Sequence, residues 1–129
     1  MFRKTHLFAC LAILLVLTAC GPAGVTLTAS DSGGQIEVQT GDLIVIQLEG
    51  NPSTGYTWGP RDLDTSMFEM VGEPEFKSDN PDLVGSGGTL TLTFKTLKAG
   101  TATLNLVYHR PWETDVEPLD TFSITITVE

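Results

Sequence analysis

Few residues of this chain have the chemistry for covalent catalysis. Its 129 residues include two cysteines, Cys10 and Cys20, and two histidines, His6 and His109. A thiol nucleophile needs a neighbouring base, but three of these four groups crowd into the first twenty residues. His109 then stands alone and reads as a strand-end or rim residue, not a general base. Serines, threonines and carboxylates are plentiful, yet no nucleophile–base–orienter set can be picked out. Asp79, Asn80 and Asp82 are clustered, but the Asp-x-Asp-x-Asp-Gly order of an EF-hand calcium loop is missing. Two cysteines exclude a four-cysteine zinc site. No enzyme, metal or cofactor is expected.

Recognition chemistry is better supplied, in three stretches. The first runs Asn51-Pro52-Ser53-Thr54-Gly55-Tyr56-Thr57-Trp58. Pro52 fixes its own φ and pushes Asn51 toward extended geometry, while Gly55 is free to take positive φ. A stiff wedge of small residues results, followed by two aromatics, of which Trp58 is expected in the core. The second stretch is Gly85-Ser86-Gly87-Gly88-Thr89. It lacks the Lys-Ser/Thr pair and following helix of a phosphate cradle, and is longer than a tight hairpin needs. Its backbone is open to close approach by a partner. The third is His109-Arg110-Pro111-Trp112-Glu113. Pro111 stops strand pairing and places Trp112 in a loop. There it is either an interface anchor beside Arg110 or a ring folded back over the domain end under Arg110.

The first twenty residues read as an address. Arg3 and Lys4 precede an apolar run over 7–16, the pattern of an export signal and shorter than a membrane span. The segment ends Leu17-Thr18-Ala19-Cys20, which looks like a bacterial lipobox whose cysteine is acylated and becomes the new N-terminus. The expected division is a signal peptide over 1–19, a lipid-anchored tether over 20–24 and one domain over 25–129. The expected location is an exported bacterial lipoprotein held by Cys20 in the cell membrane or outer membrane. Losing Arg3 and Lys4 with the signal leaves five basic residues against sixteen acidic ones, a net charge of −11. Such an acidic domain offers no surface for nucleic-acid phosphates. With no thiol left free, its stability comes from packing alone.

Period-two alternation must position the three loops. Leu90, Leu92 and Phe94, then Ala102, Leu104, Leu106 and Tyr108, then Phe122, Ile124, Ile126 and Val128 alternate with polar residues. Leu43 to Leu48 is more continuously apolar, as a central strand is. Shorter strands are expected at 25–28, 35–38, 56–58 and 67–71. Together they predict an all-β, immunoglobulin-like β-sandwich of seven or eight mostly antiparallel strands, with a small closed barrel as the structural alternative. In an immunoglobulin-like order the three loops gather at one end of the sandwich.

The three motifs, in this order and spacing, resemble the chagasin family, protein inhibitors of papain-like cysteine peptidases. The resemblance spans about residues 25–129, and departs mildly at Ser53, where many relatives carry Thr. It implies an eight-stranded immunoglobulin-like sandwich that inhibits without chemistry. The loop matching Asn51, Pro52, Ser53, Thr54, Gly55 and Tyr56 enters the peptidase cleft, with Thr54 nearest the catalytic cysteine. The loops matching Gly85, Ser86, Gly87 and Gly88, and Arg110, Pro111 and Trp112, embrace the enzyme on either side. The expected partner is a papain-like cysteine peptidase bound by a monomer whose only membrane contact is its lipid. Glu113, Asp115 and Glu117 are expected to keep the surface soluble and to favour targets with basic rims. The rival function is a cell-surface adhesion or carbohydrate-binding module, with Trp112 stacking on a sugar; it leaves the Asn-Pro-Ser-Thr-Gly wedge unexplained.

Overall fold

A computed structural model describes residues 23–129. The expected signal peptide over 1–19, Cys20 and most of the expected tether over 20–24 lie outside the described residues. Nine strands follow: β1 (Gly24–Thr28), β2 (Gln35–Val38), β3 (Leu43–Gly50), β4 (Thr57–Arg61), β5 (Phe68–Met70), β6 (Glu75–Ser78), β7 (Gly88–Thr96), β8 (Gly100–His109) and β9 (Asp120–Val128). One sheet has the order β1-β3-β7-β5, with β6 also on β7; the other has the order β2-β9-β8-β4. The architecture is the expected all-β sandwich, and every expected strand is present, 35–38 with the same ends and the others with shifted ends. The ninth, β6, was not expected. Its sequence, Glu-Phe-Lys-Ser, is almost wholly exposed and carries no apolar alternation.

The alternating residues meet between the sheets. Ile44, Ile46, Leu92, Phe94, Leu104, Leu106, Phe122, Ile124 and Ile126 are buried almost completely, and each such side chain contributes about 1.5–3 kcal/mol of transfer free energy. Their polar neighbours face water, where Thr101 and Thr103 sit opposite Thr127 and Thr125 across the strand pair, hydroxyls 3.3 Å apart.

Two pairings are parallel, β1 on β3 and β2 on β9. The first part of the chain therefore changes sheets, through a 3-10 turn at Ala29–Asp31 where the Thr28 amide donates to the Asp31 carboxylate at 2.8 Å.

β3 gives the sandwich two distinct ends. Leu43 pairs with Lys95 at one end, here called the base, and Gly50 with Gly88 at the other, the rim. The base is closed by the Gly41 amide on the Thr96 carbonyl (3.0 Å), Thr40 on Glu129 (2.9 Å) and Leu97 on Met67 (2.8 Å). Thr96, buried, accepts from the Gly41 amide and donates to the Gln39 carbonyl at 2.9 Å. In the β4–β5 turn nearby, the Ser66 hydroxyl donates to Asp64 and holds its exposed carboxyl below the usual carboxylate value of 3.8. The rim carries all three loops singled out above.

Candidate protein-binding rim

The wedge is built by its own sequence. Asn51 is extended, and its side-chain oxygen accepts from the Ser53 amide at 3.2 Å, capping one 3-10 turn over Pro52–Thr54. Proline suits the first turn because no N–H is wanted there. The Thr54 amide returns to the Asn51 carbonyl (3.1 Å) and the Gly55 amide to the Pro52 carbonyl (2.9 Å). Gly55 then reverses the chain with φ 85°, the left-handed region where glycine carries no steric penalty. Thr54, exposed at the tip, spends its hydroxyl on the Asn51 carbonyl at 2.6 Å.

Three contacts tie this wedge to its surroundings. The Asn51 amide donates to the Tyr108 hydroxyl at 2.9 Å, so β8 supports the wedge from beneath. The Asn51 side-chain amide donates to the Gly85 carbonyl at 2.9 Å, joining it to the glycine loop. On the other side the Arg110 Nε donates to the Thr54 carbonyl at 3.1 Å. Tyr108 lies between Tyr56, tilted against it at 5.4 Å between centroids, and Trp58, stacked on it at 5.2 Å. Trp58 is a core residue, as expected, and its indole N–H reaches the Glu49 carbonyl at 2.9 Å.

The third loop holds two differently employed side chains. Trp112 is exposed, at 68% of its surface, so the folded-back alternative is set aside. The outer edge of its ring rests against Gly55, where a Cβ would overlap Cη2 and lie 3.1 Å from Cζ2. Arg110 is committed inward. Besides the Thr54 carbonyl it pairs with Glu113 at 3.5 Å, and its guanidinium lies 4.5 Å from the Tyr56 ring centroid. It braces the wedge, with 38% of its side chain still exposed on the rim.

The glycine loop also departs from expectation in part. Gly85 has φ 80° and lies beside Ser53. Gly88, however, is buried as the first residue of β7, flanked by Gly50 and Ser78, and a Cβ there would overlap the Lys77 carbonyl. Close backbone packing inside the protein, not a partner, demands glycine at 88.

Sequence reasoning missed Tyr108 as a support, placing it only on a core face. It also missed Leu83 and Val84, which sit just before Gly85. Leu83 is 61% exposed and Val84 fully so. The turn holding them is closed by the Leu83 amide on the Asn80 carbonyl and the Ser86 amide on the Leu83 carbonyl. Two apolar residues between Pro81 and Gly85, outside any alternating stretch, were the available signal. Asp79, Asp82, Glu113, Asp115 and Glu117 fringe the rim loops. Among the described residues, no cluster of three or more His, Cys, Asp or Glu side chains is placed to hold a metal ion.

A preorganised rim of three joined loops on an immunoglobulin-like sandwich defines a class of binding protein that acts by surface fit. Residues 37–126 match the family described as Chagasin family peptidase inhibitor I42. Amoebiasin-2 of Entamoeba histolytica is 33% identical over 115 residues, covering 88% of this chain and 93% of that protein. Chagasin of Trypanosoma cruzi is 34% identical over 90 residues, 67% of this chain and 81% of that protein. The crystal structure of a cysteine protease inhibitor from Entamoeba histolytica superposes with TM-score 0.72 at 34% identity, covering 84% of this chain and all of that one. The chain belongs to the chagasin family, the inhibitors of papain-like cysteine peptidases, and is an inhibitor, not an enzyme.

Proposed function

We propose that this protein inhibits its peptidases reversibly and without covalent chemistry, by filling the active-site cleft with the wedge 51–56. Thr54 lies nearest the catalytic cysteine, residues 85–87 grip one side, and Pro111 and Trp112 grip the other. The observation that carries this reading is the double tie of the wedge, Asn51 to Gly85 and Arg110 to Thr54. Loops already fixed to one another lose little conformational entropy on docking, so more of the contact energy is realised as affinity. The same turn explains why the inhibitor is not consumed. A 3-10 turn closed by two backbone hydrogen bonds does not offer an extended peptide for cleavage, and the Thr54 carbonyl is already engaged by Arg110.

The inhibitor acts as a monomer, anchored in a bacterial envelope by acyl chains on Cys20. The signal-like run over 7–16 and the Leu-Thr-Ala-Cys ending support the anchor. The acidic fringe favours peptidases with basic surfaces beside the cleft, which raises the association rate at low salt.

Protection of the peptidase thiol tests the mode. Papain saturated with the soluble chain starting at Ala23 is exposed to iodoacetamide, and both proteins are weighed by mass spectrometry. The expected result is an unalkylated peptidase cysteine and an intact inhibitor. Alkylation at the rate of free papain, or cleavage within 51–56, overturns it.

A further inference from the structure

We propose that the base of the sandwich faces the lipid bilayer and the rim faces away from it, so that the targets are peptidases arriving from the water. This rests on the anchor reading for Cys20. The topology sets the direction. Ala23, the first described residue, is pinned at the base: its amide donates to the Asp42 carboxylate (3.2 Å) and its carbonyl accepts from the Leu43 amide (3.0 Å). β1 runs parallel to β3 from that point, Gly24 beside Leu43, and β3 then climbs eight residues to Gly50, where the wedge begins.

Lengths decide how far this separates anchor and rim. Eight strand residues span about 23 Å at roughly 3.3 Å per step. From Cys20 to Ala23 the chain reaches at most about 11 Å. A tether that short keeps the base next to the headgroups and cannot bring Asn51 there while the domain stands upright.

Charge opposes the tipped pose. Asp79, Asp82, Asp115, Glu117 and Asp120 are exposed around the rim, while Arg110 is paired with the half-buried Glu113 and Lys77, opposite Thr89, is the exposed cation beside them. Anionic headgroups repel such a fringe. The base carries Lys95 and Lys98, with the half-exposed Leu97 between them in sequence, together with Asp42, Asp64, Glu69 and Glu129, so it is mixed in charge where the rim is mostly acidic, and its lysine stems and Leu97 suit the headgroup layer.

The test uses the full chain, lipidated by a bacterial host and inserted into vesicles of phosphatidylethanolamine and phosphatidylglycerol. Lys98→Cys at the base and Asp82→Cys near the rim each carry one dye, since the Cys20 thiol is blocked by lipid. A headgroup-attached quencher is expected to quench the dye at 98 several-fold more than the dye at 82. Equal quenching, or stronger quenching at 82, in protein that floats with the vesicles overturns the orientation and leaves the anchor standing. Protein that does not float overturns both.

Discussion

Trp112 lays the outer edge of its indole on the bare Cα of Gly55. The contact matters because each residue is demanding for its own reason. Gly55 turns the wedge with φ 85°, and Trp112 is the most exposed aromatic anchor on the rim. Glycine is thus required twice, for the backbone angle and for the ring that rests on it.

A double-mutant cycle separates these roles. Trp112→Ala is expected to raise the inhibition constant at least tenfold, or about 1.4 kcal/mol, mostly through faster dissociation. Gly55→Ala is expected to cost as much, because the new methyl strains the left-handed turn and displaces the ring. The two effects are not expected to add, since with Trp112 gone the methyl has nothing to displace. Strict additivity in the inhibition constants would show that the contact does not couple the loops.

Arg110 is expected to behave as a brace. Arg110→Ala removes a charge-assisted hydrogen bond to the Thr54 carbonyl, the pair with Glu113 and the stack on Tyr56, interactions together worth a few kcal/mol at most. The inhibition constant should rise roughly ten- to hundredfold and the Gly55 amide should exchange faster in the free protein. Lysine cannot reproduce the planar fork, so Arg110→Lys should recover little. Unchanged amide exchange with weakened inhibition would mean that Arg110 acts on the peptidase directly.

Leu83 and Val84 are exposed aliphatics on a closed turn tied to the wedge. Val84→Asp should weaken inhibition about tenfold or more, because burying an unpaired carboxylate against the peptidase is costly. Thermal stability should be untouched, since the side chain contacts solvent. The comparison is a Tm scan beside an inhibition titration; an unaltered constant would place Val84 outside the interface.

Asp64 gives a pH signature away from the rim. Its carboxyl is held below the ordinary value by the Ser66 hydroxyl first; desolvation, next in size, opposes this, and the backbone amides of Ser66 and Met67 and then Lys98 lower it further. A depressed folded-state value stabilises above the unfolded value and loses that contribution as pH falls through the folded one. Asp64→Asn should therefore lower Tm at pH 6–7, and the gap should begin to close near pH 3.8 and vanish below the depressed folded value. A Tm difference independent of pH would remove the ionised carboxylate from the explanation.

Much of this was legible in the sequence, for identifiable reasons. β7, β8 and β9 announce themselves by alternation over nine or ten residues and β3 by a nearly continuous apolar run, and Pro52 and Gly55 fix the wedge locally. What was not legible depends on neighbours distant in the chain. β6 forms because β7 offers an edge to a charged tetrapeptide. Arg110 turns inward because the Thr54 carbonyl, 56 residues earlier, faces it. Gly88 is needed by the Lys77 carbonyl and not by a partner. Side-chain commitments of this kind are set by packing, which one-dimensional pattern does not encode.

The central claim is a rim that blocks a papain-like active site reversibly. Its most direct test is a titration of papain with the soluble chain starting at Ala23, following hydrolysis of a small fluorogenic substrate. The account predicts competitive inhibition on the order of nanomolar, as protease–inhibitor interfaces of standard size achieve, with activity fully recovered on dilution. A folded domain that leaves papain and a panel of related peptidases uninhibited at micromolar concentration would contradict it.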